Sequence, residues 1–390
     1  MSKTLQDYAT LINDTIQSNE INHYITTDNM CQNLGGIDTF KNINIPQGKV
    51  RSFQKDDILL SNIRLYFRKV YRAKQKGGCS SDVLVFRAKH IDSATLFAIL
   101  SSQIFTDYAC SGSQGSKMPR GNKTHMMDFK IPTINFTIAK IFNSIQNKIE
   151  NNHKINELLH KILELLYEQY FVRFDFLDEN NKPYQTSGGK MKFSKELNRL
   201  IPNNFEVKTL GELITWISGS QPPKSCHIYE HKEGYIRFIQ NRDYSSNDYV
   251  TYIPISKNNK ICYQYDIMMD KYGEAGSVRF GLQGAYNVAL SKISVLNQSM
   301  QEYIRSYLNS KPIKKYLSNA CMASTRASLN ENHIYSLMLP IPPINLLQKY
   351  EKIAKNIITA IIKNNQTTQT LTALRDFLLP LLLKQQVKPQ

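Results

Sequence analysis

The 390-residue sequence is poor in features that would give it chemistry of its own. Its six cysteines are Cys31, Cys79, Cys110, Cys226, Cys262 and Cys321, and no two lie within four residues of each other. That spacing excludes a C-x-x-C zinc or redox pair. Cys226-His227 with His231 is the nearest approach to a metal cluster, and it lacks a second pair of ligands. Scattered cysteines in a long chain point to free thiols in a reducing cytoplasm. No N-terminal apolar segment reads as a signal peptide, and the longest apolar runs, such as Phe377–Leu383, are far too short for a bilayer. Membrane partners are therefore not expected.

Two catalytic signatures are also missing. Adenine methylation needs an Asn/Asp-Pro-Pro-Tyr/Phe motif, but Gln221-Pro222-Pro223-Lys224 and Ile341-Pro342-Pro343-Ile344 lack both the polar first residue and the aromatic. The loop Gly115–Thr124 superficially resembles a P-loop. It has five residues between its glycines where four are required, and Asn122 separates Gly121 from Lys123.

What is abundant is positive charge. Forty-nine Lys and Arg face 32 Asp and Glu, for a net charge of +17. The charge is spread along the chain, which favours nucleic acid over a polybasic membrane anchor. Tyrosine, at 22 residues, is spread evenly and reads mostly as core.

The chain is also written twice. Lys3-Thr4-Leu5-Gln6-Asp7 answers Lys208-Thr209-Leu210-Gly211-Glu212, and Ile12 answers Ile217. Asp57-Ile58-Leu59-Leu60 answers Asp266-Ile267-Met268-Met269. Leu100-Ser101-Ser102 and Tyr108 answer Leu308-Asn309-Ser310 and Tyr316. Ile131-Pro132-Thr133-Ile134-Asn135 answers Ile341-Pro342-Pro343-Ile344-Asn345, and Asn151-Asn152 answers Asn364-Asn365. The shift drifts only from 205 to 213 residues, as small loop insertions would make it do.

Within each repeat the texture changes once. The first part mixes short β-rich runs, Ser81–Arg87 and Tyr235–Ile239 among them, with Pro and Gly punctuation. The last part is helical in period. Ile138, Ile141, Phe142, Ile145, Ile149, Ile155, Leu159, Ile162 and Leu166 recur at three- and four-residue steps. Leu347, Tyr350, Ile353, Ile357, Ile361, Leu371, Leu374 and Leu378 do the same. Each helix follows an Ile-Pro pair. Two such helices would bury their stripes against each other. Asn152 and Asn364 fall where an apolar residue is expected, which reads either as a lapse at a bend or as a polar pair fixing register.

Several stretches resemble the specificity subunits of type I restriction–modification systems. Asp56–Ala88 resembles the strand-rich centre of a target-recognition domain, and Gly112–Asn135 its exit into a helix. Asn147–Phe176 resembles the family's central helix with its aromatic tail, Pro183–Ser225 the link into a second recognition domain, and Leu374–Val387 the C-terminal end. The least typical parts are Asp14–Gln54 and Gly273–Ile293.

The resemblance implies an α+β architecture: two globular α/β target-recognition domains separated by two long antiparallel, coiled-coil-like helices, with a pseudo-twofold internal repeat. The expected parts are residues 1–133, 134–178 (central helix), 179–204 (linker), 205–340 and 341–390 (C-terminal helix). The family's subunit is not itself an enzyme. It directs a complex to an asymmetric bipartite DNA site, each domain reading one half-site and the helices setting the spacer. Expected partners are double-stranded DNA, two methyltransferase subunits and restriction/translocase subunits. S-adenosylmethionine, ATP and Mg are expected on those partners and none on this chain. A specificity subunit of a related system that cuts close to its site, a stand-alone DNA enzyme with divergent motifs and a helix-mediated structural dimer are the competing readings.

Candidate DNA contacts are basic and polar loop residues: Arg64, Arg68 and Lys69; Lys117, Arg120 and Lys123, which suit phosphates; Ser218, Ser220 and Lys224; Arg279 and Arg326. A plain surface role competes at each. Leu374, Phe377, Leu378 and Leu381 are the candidate partner-binding surface, with burial inside the chain as the alternative.

Overall fold

The computed structural model describes residues 3–38, 41, 43–115, 117–131, 134–245, 249–322 and 328–382. It divides into two units, residues 1–155 with 364–390, and residues 156–363. Each long helix is shared between the units, so each unit holds one lobe and one half of each helix.

In the first unit a short helix α1 (Leu5–Tyr8) runs into β1 (Ala9–Ile12). Strands β2 (Thr15–Gln17), β3 (Tyr24–Ile25), β4 (Lys49–Phe53), β5 (Ile58–Ser61), β6 (Val70–Arg72), β7 (Gly77–Cys79) and β8 (Val83–Ala88) follow. They form two four-stranded sheets, β1-β8-β5-β6 and β2-β4-β7-β3. Every side chain of β5 is buried, as expected of a central strand covered on both faces. Helices α2 (Ser93–Ser101), α3 (Gln103–Ser111) and α4 (Lys123–Met127) close the lobe. Asp92 caps α2 by accepting from the Thr95 N–H at 2.9 Å. Ser102 closes α2 through its own N–H and caps α3 with its hydroxyl, so the two helices turn on a single residue.

The first long helix, α5 (Phe136–Tyr167), starts where the Asn135 side chain accepts from the N–H groups of Thr137 and Ile138. Pro132, at its expected entrance, lies outside the described residues. A π-helical turn, Glu168–Val172, ends it. The hairpin β9 (Met191–Ser194) and β10 (Arg199–Pro202) occupies the segment read as a linker.

The second lobe runs through β11 (Glu206–Thr209), β12 (Ile214–Ser218), β13 (Tyr235–Ile239), β14 (Tyr252–Pro254), β15 (Ile261–Cys262), β16 (Ile267–Asp270), β17 (Val278–Arg279), β18 (Gly284–Tyr286) and β19 (Leu290–Val295). Helices α6 (Gln301–Asn309), α7 (Lys311–Met322) and α8 (Asn332–Tyr335), strand β20 (Met338–Ile341) and the second long helix α9 (Ile344–Leu382) complete it. Its sheets are β12-β19-β16-β17 and β14-β13-β18-β15.

The internal repeat is a repeat of topology. The first sheet has the same order in both lobes, with β12, β19, β16 and β17 standing for β1, β8, β5 and β6. In the second sheets β7 pairs parallel with β3 and antiparallel with β4, as β18 does with β13 and β15. The fourth strand sits on opposite edges: β2 extends β4, whereas β14 extends β13. The sequence matches at the start of each repeat have a physical cause. Thr4 donates its N–H and hydroxyl to Asp7, and Thr209 does the same to Glu212, forming one capping box in each lobe.

Each lobe also closes on itself. Leu5 N–H donates to Phe129 O and Ile131 N–H to Lys3 O, both at 2.9 Å. In the second lobe β11 pairs antiparallel with β20.

The helical stripes divide more finely than their period suggested. On α5, Ile138, Phe142, Ile145 and Ile149 are buried, while Ile141, Ile155 and Ile162 are exposed. On α9 the buried apolar set is Leu346, Leu347, Tyr350, Ala354, Ile358, Ile361, Ile362 and Leu379, and Ile353 and Leu374 are exposed. In the first unit the helix segments run antiparallel, with Asn152 bonded to Thr368 and Gln146 to Arg375. Asn152 Nδ2 donates to Thr368 Oγ1 at 3.1 Å, one helical turn beyond the expected Asn364.

Candidate nucleic-acid interface

In the first lobe, the segment after β5 and the loop before α4 are built on each other. Arg64 and Arg68 both sit in the left-handed region, at φ of 50° and 49°, around a 3-10 turn, Leu65–Phe67. Arg64 N–H donates to Pro119 O at 2.9 Å, and its Nη2 reaches Lys117 O at 3.4 Å. Gly121 N–H donates to Asn62 O at 3.2 Å. A Cβ at Gly121 would meet the end of the Met126 side chain at 2.1 Å, so the two segments cross closely here. The result brings Arg64 beside the basic loop. Lys117 and Lys123 are exposed, and Arg120 is exposed but ion-paired to Asp82 at 3.1 Å.

Arg68 and Lys69 point elsewhere. Arg68 Nη2 donates to Ser101 O, the C-terminal end of α2, at 2.9 Å, and burial lowers its pKa. Lys69 Nζ donates to Thr27 O at 2.6 Å, and burial lowers its pKa as well. Cations spent on helix and loop carbonyls hold the fold and are poorly placed to meet phosphate.

In the second lobe, Ser218 ends β12, and its hydroxyl accepts from Trp216 Nε1 at 3.2 Å. Lys271 Nζ lies 3.5 Å from the same oxygen. Ser220 Oγ is buried without a hydrogen-bond partner among the described residues. Gly219 between them has no room for a side chain, since a Cβ would come within 2.0 Å of Asn287 O. Lys224 is exposed at the start of a 3-10 turn, Lys224–Cys226. Arg279 is committed internally, to Asp270 at 2.9 Å and to Glu274. Arg326 lies outside the described residues.

Sequence reading missed several groups here. Tyr66, Tyr229, Tyr249, Tyr263 and Tyr272 are between 42% and 71% exposed, so the view of tyrosine as core covers only part of the set. Tyr303, Tyr350 and Tyr286 are buried. A cation lies near several of the exposed rings: Arg242 by Tyr249, Lys271 by Tyr272 and Lys292 by Tyr263, each 5.9 Å from the centroid. Clustered with a strongly basic composition, such pairs suit stacking on bases and pairing with phosphates.

On α9, Leu374 and Phe377 are 44% and 67% exposed. Leu378 and Leu381 pack partly against the first unit's core beside buried Leu379. Four further apolar side chains on α5, Ile155, Leu158, Ile162 and Leu165, are exposed at three- and four-residue spacing. No group of three or more His, Cys, Asp or Glu that could hold a metal occurs among the described residues. No helix among them is long and apolar enough to cross a membrane.

Residues 202–373 match the model of the type I restriction modification DNA specificity domain. The chain is 24% identical over 300 residues to the type I restriction enzyme MjaIX specificity subunit of Methanocaldococcus jannaschii, covering 74% of this chain and 67% of that one. The MjaVIII specificity subunit of the same organism is 21% identical over 179 residues, 45% of this chain and 41% of the relative. Among solved structures, the S subunit of a type I restriction–modification system from M. genitalium has the same fold, with a TM-score of 0.63. It is 15% identical, over 98% of this chain and 96% of that one.

Proposed function

We infer that this chain is a type I restriction–modification specificity subunit and gives its complex a two-part DNA address, one part read by each lobe. The observation that supports this most is the repeat itself. One sheet order and one capping box occur twice, while the polar groups at the strand ends differ between the copies. A duplicated scaffold with unlike contact groups suits a target whose halves differ. Lys117, Lys123 and Lys224, with Arg64 and Arg120, supply cations for phosphates and base edges.

The chemistry belongs to other subunits in this reading: two methyltransferase subunits that carry S-adenosylmethionine, and restriction/translocase subunits that use ATP and Mg. The exposed apolar residues of α5 and α9, including Leu374 and Phe377, suit the docking of those partners. The helices set the spacer between half-sites. At about 1.5 Å per residue, α5 and α9 are about 48 and 58 Å long, well above the roughly 34–36 Å of one DNA turn.

Methylation sequencing of a host that expresses the chain with its methyltransferase partner tests the reading. The expected result is modified adenine at one asymmetric two-part site. Inserting seven residues between Asn147 and His153 is expected to lengthen the spacer and leave both halves unchanged. Methyl transfer to DNA by the purified chain alone would overturn the reading, as would an insertion that altered the half-sites themselves.

A further inference from the structure

The two lobes can be overlaid strand by strand, and this exposes a correspondence that the sequence matches did not reach. The residue after β5 is Asn62, and its N–H donates to Asp82 O, just before β8, at 2.8 Å. The residue after β16 is Lys271, and its N–H donates to Ala289 O, just before β19, also at 2.8 Å. Asn62 and Lys271 therefore occupy the same place in the same sheet, at the 209-residue shift of Asp57 and Asp266. This is the edge where β1 and β12 also end.

In the first lobe this edge carries Asn62, Arg64 and the basic loop through Lys117. In the second, three segments meet there. Ser220 N–H donates to Tyr286 O at 3.1 Å, and Asn287 N–H to Ile239 O at 3.0 Å. Asn241, two residues beyond Ile239, donates its Nδ2 to Tyr272 O at 3.4 Å. Lys271 bridges back to Ser218, and Tyr272 is exposed beside it.

Both edges contain polar atoms that folding leaves unused. Asn62 Oδ1 and Arg64 Nε in the first lobe, and Ser220 Oγ and Asn241 Oδ1 in the second, are buried without a hydrogen-bond partner among the described residues. A buried polar group without a partner in the protein takes one from water or from a ligand. The lysine is itself partly desolvated, which lowers its pKa and sharpens its preference for an acceptor.

We propose that Lys271, Tyr272 and Asn241 are base-reading groups of the second lobe, at the edge that Asn62 and Arg64 occupy in the first. This deepens the two-part reading above and rests on it. The amide offers an acceptor oxygen and the ammonium offers donors to base edges, and the exposed ring offers a face for stacking or for contact with a thymine methyl. The side chains at the two edges are unlike, so the bases they select are unlike.

The test uses the full chain assembled with its methyltransferase partner and a pool of randomised double-stranded oligonucleotides. Bound molecules are sequenced for the wild type and for Lys271→Met, Tyr272→Ala and Asn62→Ala. The wild type is expected to enrich a two-part motif. Lys271→Met and Tyr272→Ala are expected to relax one or two base pairs of one part by about tenfold or more, with the other part unchanged. Asn62→Ala is expected to relax the opposite part. Tyr272 is exposed, so its truncation leaves the core intact, and unchanged melting of each variant confirms this. A wild-type motif and affinity in Lys271→Met and Tyr272→Ala would overturn the proposal while the two-part reading stands. Loss at both parts together would also overturn it. A wild type that enriches no two-part motif would sink the broader reading, and this proposal with it.

Discussion

Arg375 is the side chain whose loss should be felt most in the first unit. It is 2% exposed, on a helix face that period alone would leave to leucine. Its Nη1 donates to Asn33 O and to Gln146 Oε1, each at 3.2 Å, while Gln146 Nε2 donates to Leu34 O. Asn33 and Leu34 are both left-handed, at φ of 52° and 60°, and neither is glycine. Their N–H groups donate to Phe67 O and Arg68 O. The arginine thus ties both long helices to a strained turn, and that turn to the segment carrying Arg64. Arg375→Ala removes the donor and leaves one buried acceptor, Gln146 Oε1, and one half-buried acceptor, Asn33 O. At about 1–3 kcal/mol for each unsatisfied group, with lost packing added, the cost is about 3–5 kcal/mol. In a body of this size each kcal/mol lowers the melting midpoint by about 2–4 °C, so a fall on the order of 10 °C is expected by scanning calorimetry. Gln146→Ala should cost a comparable amount. The double variant should lose much less than the sum, by about 1–3 kcal/mol, because the two side chains satisfy one turn together. Additive losses, or a shift below about 2 °C for Arg375→Ala, would refute the argument.

Three further outcomes follow from the same geometry. Glu351 accepts from Glu302 N–H at 2.9 Å beside the buried Glu302–Arg305 pair, and burial raises its pKa to about 7. The folded state therefore holds a proton that the unfolded state releases near its ordinary range. Stability is fully present at low pH, falls as pH rises towards 7, and changes by about 1–2 kcal/mol after discounting for solvent. Denaturant titrations of Glu351→Gln between pH 5 and 8 should lack that fall. Gly219→Ala forces a Cβ against the Asn287 carbonyl and should cost about 1–3 kcal/mol, visible as a lower melting midpoint and, on the two-part reading proposed above, as weaker discrimination in one part of the site. Asn152→Ala should cost about 1–2 kcal/mol, whereas Asn152→Leu combined with Thr368→Val should recover most of it, because both partners of the hydrogen bond then become apolar.

Fold class, the two long helices and the duplication were legible in the sequence because each rests on a local rule. Helical period marked α5 and α9, β-rich runs marked β8 and β13, and the match of Lys3–Asp7 to Lys208–Glu212 marked the start of each repeat, though not the capping boxes that cause it. What was not legible depends on pairing at long range. Nothing in the immediate sequence of Arg68 or Arg279 shows that one meets the Ser101 carbonyl and the other Asp270. Basic residues in loops look alike until their partners are placed. The same holds for Asn152, whose partner follows from antiparallel helix register rather than from a matching asparagine. Lys271 and Tyr272 were missed for the opposite reason. They lie at the edge of Gly273–Ile293, where the sequence is least typical, and just beyond the last matching residues of the 209-residue shift, so it is the strand order that marks them as counterparts of Asn62 and Ile63.

Both lobes share one further property, the meeting of their first and last segments. Lys3–Leu5 bridges Phe129–Ile131, and β11 pairs with β20. Facing Cα atoms in such pairs are only about 4.5–5.5 Å apart. A lobe entered and left through one doorway behaves as a cartridge. Another body of the same sheet order, with different side chains on its edge, can enter and leave through the same two segments, provided that it keeps the turn at Asn33 and Leu34 that the helices hold in the first lobe. On the two-part reading proposed above, exchanging one lobe at these seams would change one part of the address and leave the other as it was.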